Sequence, residues 1–359
     1  MWKHSRADAI YIHIPFCARK CEYCDFLSFN ADKYQIDKYI EHLINEIKSY
    51  GHNTYDTVYI GGGTPSFIET RHIKAIIESL NITKNPEITI EVNPNSAILE
   101  KLYQYRSIGI NRLSIGIQSF DDNMLKVLGR LHNAHEATAT YANAQKAGFS
   151  NISLDLMFAL PDESLSQLRN DLDILMGLSP NHFSIYSLIW EEGTPFYDKK
   201  AKGVLREADN DLEAAMYEMI IDVAKHNGYH HYEISNFAKD GYQSRHNTKY
   251  WQNKPYVGVG LGASGYLGNV RYKNTSSLDE YYAGNIVAEI EEITQDDFEQ
   301  YEAILALRLL EEGYIPHTEI YIAICHRLEK QGYLVNKNNR YVLSKKGLFV
   351  ANDVLEEFI

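Results

Sequence analysis

Three of the chain's four cysteines stand within eight residues, Cys17-Ala-Arg-Lys-Cys21-Glu-Tyr-Cys24, just after the apolar run Ala9–Ile14 and Pro15. Thiols at that spacing are metal ligands before they are anything else, and one remaining cysteine does not make a disulfide framework. Three thiolates can converge on one iron–sulfur cluster, but they leave one iron without a protein ligand and open to a small chelating molecule. Two other readings stand beside this one: a zinc site completed by a distant histidine or by Cys325, and a buried structural trio. Cys325 lies in the apolar helical pattern Tyr321-Ile-Ala-Ile-Cys325, where a core thiol is expected.

The elements that must carry this loop are legible from periodicity. The first part of the chain alternates strands and helices. Strands are expected at Ala9–Ile14, Thr57–Ile60, Glu87–Val92, Arg112–Ile117, Ile152–Phe158 and Phe183–Leu188. Helices are expected over Asp32–Tyr50, with Asp32 as cap and Tyr34, Tyr39, Leu43, Ile44 and Ile47 at helical spacing, and over Glu69–Leu80, Ala97–Arg106, Ala134–Ala147 and Leu165–Met176. Gly109 and Gly148 sit where helix-ending glycines belong. Strands separated by helices pair in parallel, as a barrel or as an open doubly wound sheet, and in both the loops after the strands' carboxyl ends carry the site. The cysteines follow strand one, Gly61-Gly-Gly-Thr-Pro65 follows strand two, Glu91 nears the end of strand three and Gln118 follows strand four. Asp155 falls in the middle of strand five.

Beyond Trp190 the pattern loosens. A long amphipathic helix is expected over Glu207–His226, followed by the Tyr- and His-rich Tyr229–Asn236, then His246-Asn-Thr-Lys-Tyr-Trp251 and the glycine-rich Gly258–Gly265. Gly260-Leu-Gly-Ala-Ser-Gly265 has dinucleotide-fingerprint spacing, but a strand-like run follows where a helix should, so a tight turn is expected. Of His230, His231 and Tyr232, one is expected to pack on a strand with its neighbour in solvent. From Thr294 the order is helix, short helix, helix, the strand Tyr341-Val-Leu and a final helix, which suits a winged-helix-like module. The division is thus residues 1–190, 191–290 and 291–359.

The 359 residues are 45% hydrophobic and 23% charged, enough for a large core. Lys+Arg 35 against Asp+Glu 48 gives a net charge of −13, which argues against nucleic acid as a partner. No apolar run reaches membrane-spanning length, and Met-Trp-Lys-His-Ser-Arg leads straight into the first strand, so a cytoplasmic protein is expected.

These residues carry a resemblance that runs over most of the chain. The C-x3-C-x-Y-C loop after Tyr11-Ile-His-Ile-Pro-Phe16, with Gly61-Gly-Gly-Thr-Pro65 after the next strand, resembles the radical S-adenosylmethionine superfamily. More narrowly it resembles the group of oxygen-independent coproporphyrinogen III dehydrogenases and their haem-chaperone relatives. Glu91-Val-Asn-Pro94, Ser114-Ile-Gly-Ile-Gln118, Leu128-Gly-Arg130-Leu-His132, Asp155-Leu-Met-Phe-Ala-Leu-Pro161 and Glu192-Gly-Thr-Pro-Phe196 belong to it. The resemblance implies an α/β fold: a partial (β/α)6 barrel with a carboxyl-terminal α+β extension. It implies that Cys17, Cys21 and Cys24 hold a [4Fe–4S] cluster and that S-adenosylmethionine binds beside it. Tyr11 and Tyr23 would flank the cofactor, Gly62, Gly63 and Thr64 would receive its aminocarboxylate end, and Glu91, Gln118, Arg130 and Asp155 would hold its methionine and ribose parts. The chemistry suits these roles: glycines admit a ligand to the backbone, carboxylates match ammonium and hydroxyl groups, and arginine matches a carboxylate.

Two departures turn the resemblance towards the chaperone branch. The dehydrogenases place a fourth cysteine two positions after the third, where this chain has Phe26, and a longer arm precedes their barrel, where only ten residues precede Tyr11. His246-Asn-Thr-Lys-Tyr-Trp251 matches the branch's H-N-x-x-Y-W pattern, which implies His246 as an axial haem ligand between aromatic neighbours. The function implied is a haem chaperone, its cargo passed to acceptor haemoproteins that include membrane-bound respiratory enzymes. The rival is radical oxidative decarboxylation of coproporphyrinogen III in porphyrin biosynthesis. Whether the protein is an enzyme, and whether it forms a homodimer, stay open at this stage.

Overall fold

The computed structural model describes residues 2–359. The first part runs β1 (Ala9–Ile14), α1 (Lys33–Ser49), β2 (Tyr55–Gly62), α2 (Thr70–Glu78), β3 (Ile82–Val92), α3 (Leu99–Ser107), β4 (Arg112–Gln118), α4 (Asp122–Val127), α5 (Ala134–Lys146), β5 (Asn151–Phe158), α6 (Leu165–Leu178) and β6 (His182–Ser187). Strands β1 to β6 are all parallel and neighbour one another in sequence order. All six strands stand where periodicity predicts them, β2 and β3 starting earlier. The helix α4 was not expected.

The six strands alternate strictly. Ile10, Ile12 and Ile14, Val58 and Ile60, Ile88, Ile90 and Val92, Leu113, Ile115 and Ile117, Ile152, Leu154 and Leu156, and Phe183 and Ile185 are buried in one continuous core with the surrounding helices. Their neighbours, Thr57, Glu87, Thr89, Arg112, Ser114, Ser153 and His182 among them, are buried on the opposite, inner face. A period of two therefore yields a greasy outside sealed by helices and a polar inside. Helix α1 shows how the outer layer docks. A capping box starts it, Asp32 Oδ1 accepting from Gln35 N (2.8 Å) and Gln35 Oε1 from Asp32 N (3.0 Å), and Ile36, Tyr39, Ile40, Leu43 and Ile47 face the sheet. Tyr34, expected on that face, is exposed instead.

The later elements are α7 (Pro195–Ala201), α8 (Asn210–His226), β7 (His230–Glu233), β8 (Asn236–Ala238), α9 (Arg245–Trp251), β9 (Val257–Val259), β10 (Ser264–Leu267), β11 (Val270–Asn274), α10 (Leu278–Ala283) and β12 (Val287–Glu292). They extend the barrel at both edges. β8 and β7 add antiparallel beyond β6, and β9 adds parallel beside β1, giving the nine-strand order 7-8-6-5-4-3-2-1-9. The glycine-rich stretch makes its expected turn after β9, Ala263 N–H donating to Gly260 O (3.2 Å). Gly258 lies within β9, where any Cβ would stand 1.8 Å from the Ser264 carbonyl oxygen. His231 packs on Phe237 with its neighbour His230 exposed, as expected, while Tyr232 and Glu233 are both buried.

The last segment comprises α11 (Gln295–Ala306), α12 (Glu319–Lys330), the hairpin β13 (Leu334–Lys337) and β14 (Arg340–Leu343), α13 (Lys345–Leu348) and α14 (Ala351–Glu356). It packs a core of its own, in which Cys325 is fully buried among residues such as Leu328, Leu334 and Tyr341. The short helix expected between α11 and α12 does not form. Leu309 and Leu310 instead lie in turns that bridge to β7, Leu310 N–H donating to Tyr232 O (3.0 Å), and the buried Glu233 takes Arg308 in the same seam (2.8 Å).

Glu46 on α1 fastens the end of β9 to β11 and α10. Its oxygens accept from Gly260 N (2.8 Å), Asn274 Nδ2 (2.8 Å) and Tyr281 Oη (2.6 Å), all buried. Glu46→Ala is expected to cost about 3 kcal/mol or more by orphaning these donors, and Glu46→Gln less, as read by urea unfolding.

Candidate functional site

The carboxyl ends of the strands open on a cavity of about 370 Å³. Cys17, Cys21, Tyr23, Cys24, Gly62, Gly63, Thr64, Glu91, Gln118, Arg130 and Asp155 all line it, although the sequence spreads them over nearly 140 positions. Tyr11 does not. Its hydroxyl bonds His13 Nδ1 (3.0 Å) and its ring stacks on Tyr59, so it stands behind the glycine loop. It faces inward one turn of the pleat too low to reach the mouth.

The cysteine loop is tied at its base. Cys17 N–H donates to Phe29 O (3.0 Å) and Phe29 N–H to Pro15 O (2.9 Å), which folds the loop back beside β1. Gly63 is pressed against it: a Cβ there would come within 3.0 Å of Cys17 Sγ and of the Phe16 carbonyl oxygen. Gly62 has φ 120°, and a Cβ there would meet the His13 ring at 2.8 Å. Both positions need glycine for space, and Gly62 needs it for conformation as well.

A chain of donors runs beneath the thiols. Arg130 Nη2 donates to Asn93 Oδ1 (2.8 Å) and to Gly116 O (2.6 Å), while its Nη1 points at Cys21 Sγ (3.7 Å). Asn93 Nδ2 donates to Thr64 Oγ1 (3.0 Å), which leaves the Thr64 hydroxyl hydrogen for Cys17 Sγ (3.3 Å). Two of the three sulfurs thus receive donors, the arrangement that suits thiolates. Burial pushes the Cys24 thiol up to about 11, so ionising it in place calls for a bound cation. Arg130 Nε is buried without a partner. Among the described residues no three His, Cys, Asp or Glu side chains close on a single-ion position. The three thiols line one cavity, and its donors and glycine cradle fit a cluster held by three thiolates.

The acids stand opposite. Glu91 accepts from Tyr59 Oη (2.8 Å) and Gly62 N (3.1 Å). Burial, with a smaller push from Asp155, raises it to about 7. Asp155 accepts from Ser114 Oγ (2.6 Å) and Ser153 Oγ (2.8 Å), and burial raises it too. Gln118 adopts φ 71° at the end of β4, a left-handed conformation that costs a non-glycine residue about 1–3 kcal/mol. Its Oε1 accepts from Tyr186 Oη (3.4 Å). Asn93, Gly116, Met157 and Tyr186 complete the wall and were not singled out from the sequence. Inward alternation from Glu91, Gln118 and Asp155 would have pointed to Gly116 and Met157. Phe26 stands at the mouth, 64% exposed.

His246 lies elsewhere. Helix α9 closes the opposite end of the barrel, where Glu87 accepts from its first backbone amides, Arg245 N (3.2 Å) and His246 N (2.9 Å). The His246 ring is completely buried, Nδ1 bonded to Thr57 Oγ1 (3.0 Å) and Nε2 to Tyr250 Oη (2.7 Å), with Tyr59 5.3 Å away between ring centres. Burial first, then Lys249 and Arg112, lowers its pKa to about 3. The expected axial ligand thus offers no free nitrogen. The pattern His-Asn-x-x-Tyr-Trp builds the barrel floor, because residues four apart on a helix can satisfy one another inside a core.

The radical SAM superfamily model matches residues 11–175. The chain is 34% identical over 370 residues to a protein of Lactococcus lactis named heme chaperone HemW, covering 99% of this chain and 98% of that one. It is 34% identical over 374 residues to the Bacillus subtilis protein of the same name, covering 97% and 98%. Among solved structures it resembles the coproporphyrinogen III oxidase HemN of Escherichia coli, a radical SAM enzyme, with TM-score 0.83 over 98% of this chain and 89% of that chain at 21% identity.

With Glu91 near 7, a ligand that presents an ammonium to it must displace a proton at lower pH. The affinity of S-adenosylmethionine is therefore expected to be greater at pH 8 than at pH 6, falling by up to about tenfold per pH unit below 7. Glu91→Gln is expected to bind weakly at both values and to flatten the profile, as measured by anaerobic calorimetry.

Proposed function

The chain belongs to the HemW family of the radical S-adenosylmethionine superfamily, and from that membership we propose that it binds haem and hands it to acceptor haemoproteins. The observation that carries this reading is similarity to the haem chaperones along almost the whole chain, 97–99% of it. That span includes the extension as well as residues 11–175, which every superfamily member shares in kind. Likeness to the coproporphyrinogen oxidase at 21% identity supports the fold.

Cys17, Cys21 and Cys24 would hold a [4Fe–4S] cluster, with Thr64 and Arg130 donating to its sulfur ligands. When bound, the cluster supplies an electron and an open iron that can chelate S-adenosylmethionine. The chain's own residues do the rest. Gly62 and Gly63 admit the aminocarboxylate end to the backbone, Glu91 faces its ammonium, Arg130 and Gln118 face its carboxylate side, and Asp155 accepts from ribose hydroxyls. Tyr23, packed on Phe196, walls the pocket. Phe26 cannot ligate metal as a fourth cysteine could, and sets an apolar plate at the mouth. Acceptors in this proposal include membrane-bound respiratory enzymes. Among the described residues no helix is long and apolar enough to cross a membrane, so such contact would be made from outside the bilayer.

Two measurements test the reading. Purified protein titrated with haemin is expected to develop a saturable Soret band, and because both His246 nitrogens are engaged, His246→Gln is expected to keep that band in place. A shifted or missing band in the well-folded variant would restore His246 as a ligand. Reconstituted protein given reductant, S-adenosylmethionine and coproporphyrinogen III without oxygen is expected to yield no protoporphyrinogen IX. Its appearance would replace the chaperone by the dehydrogenase.

A further inference from the structure

The barrel floor and the cofactor cavity are joined by buried side chains that the function above leaves unused. The Ser244 backbone amide, at the start of α9, donates to Tyr232 Oη (3.3 Å). Tyr232 Oη lies 2.8 Å from His182 Nε2, and His182 Nδ1 lies 2.8 Å from Ser153 Oγ. Ser153 Oγ in turn donates to Asp155 Oδ1 (2.8 Å). The hydrogen count sets the directions. Ionised Asp155 can only accept, so the single Ser153 hydrogen goes to it and Ser153 must accept from His182 Nδ1–H. Neutral His182 then accepts at Nε2 from the Tyr232 hydroxyl, whose oxygen takes the Ser244 amide. Every hydrogen points towards Asp155.

We propose that His182, locked as the Nδ1–H tautomer by Tyr232 and acting through Ser153, is the positioning residue that keeps Asp155 ionised and aimed into the cavity. The proposal rests on reading Asp155 as a cofactor-facing acid. A buried carboxylate without charge partner or donors neutralises itself. The groups that surround Asp155 do not remove the need for the chain. Glu91 on β3 repels its charge, Tyr59 on β2 and Tyr186 on β6 are neutral phenols, Ser114 on β4 adds one donor (2.6 Å), and Ser184, its register partner on β6, also favours the ionised form while donating to Asn236 (2.9 Å). Arg112 on β4 is the cation whose field reaches both Asp155 and His182, and it favours an ionised acid and an uncharged imidazole together. Burial of His182, 1% exposed, acts in the same sense.

The test uses the full-length protein. Nitrogen-15 NMR of ring-labelled histidine, assigned by loss of one signal in His182→Asn, is expected to show a neutral Nδ1–H tautomer from pH 6 to 8. An Nε2–H tautomer or an imidazolium would overturn the proposal whatever the cofactor does. S-adenosylmethionine affinity is the second reading. His182→Leu and Tyr232→Phe are expected to bind as wild type does at pH 8 and several-fold more weakly than wild type at pH 6, the mark of an acid whose pKa has risen. His182→Asn, whose Nδ2–H replaces the lost donor, is expected to follow wild type. Equal weakening at both pH values with unchanged melting temperature, or none, would overturn it. If Asp155→Asn leaves binding untouched, the reading of Asp155 fails, and the tautomer measurement still judges the chain of donors. Tyr232→Phe serves where His182→Leu does not fold.

Discussion

A curled parallel sheet has two buried faces, and here the inner one is polar. That is the constraint on which the rest depends. Glu87, Arg112, Ser153 and His182 are almost completely removed from water, and each such group is destabilising by several kcal/mol unless it is hydrogen-bonded or paired. Register brings polar groups into reach of one another. Ser153 lies beside His182 and bonds it, and Ser114, level with Ser153, donates to Asp155 across neighbouring strands. A slip of one residue in any strand would turn its apolar row inward and its polar row against the helices. The interior therefore specifies the pairing as firmly as the outer core does.

The same accounting applies at both ends of the barrel. At the floor Glu87 is satisfied by the amides of α9 and His246 by Thr57 and Tyr250, while Arg112 Nε and Thr89 Oγ1 above them have no partner. At the mouth the groups are held in shape but left short. Arg130 is fixed by Asn93 and the Gly116 carbonyl yet keeps an idle Nε, and Glu91 and Asp155 are both pushed towards the neutral form by burial. Groups made costly by their surroundings and aimed at a common space mark a binding site. Gln118 adds backbone strain at the same place, which the register shift beside it in the β4–β5 pairing accommodates.

The six-strand core was legible because alternation and helix caps are local signals. Asp32 caps α1, and Gly109 and Gly148 end α3 and α5 with φ 99° and 90°, as read from the chain. The cysteines, the glycines, Glu91 and Gln118 were legible because they follow or end strands, whereas Arg130, between two helices, and Asp155, within β5, were named only through the resemblance. Three other things were not legible. β9 is three residues long and glycine-rich, and only Glu46 and β1, some 200 residues earlier, make it a strand. The segment around Leu309 has helical periodicity but breaks into turns that bridge to β7. His246 looks like a ligand beside aromatic rings, and only its place over β2 shows that its nitrogens bond Thr57 and Tyr250. In each case a distant partner decides, and sequence spacing does not encode distant partners.

That dependence changes how the later part of the chain is to be understood. Residues beyond Trp190 contribute β7, β8 and β9 to the sheet and α9 to its floor, so they extend the barrel at both edges. Tyr59 makes the connection concrete. Its ring packs on His246 while its hydroxyl donates to Glu91, which in turn takes the amide of Gly62. A change in how α9 seats would move through one rigid phenol to the acid and the glycine loop of the cavity, because packed interiors transmit displacement rather than absorb it. The His-Asn-x-x-Tyr-Trp segment can thus bear on what binds at the mouth without touching it.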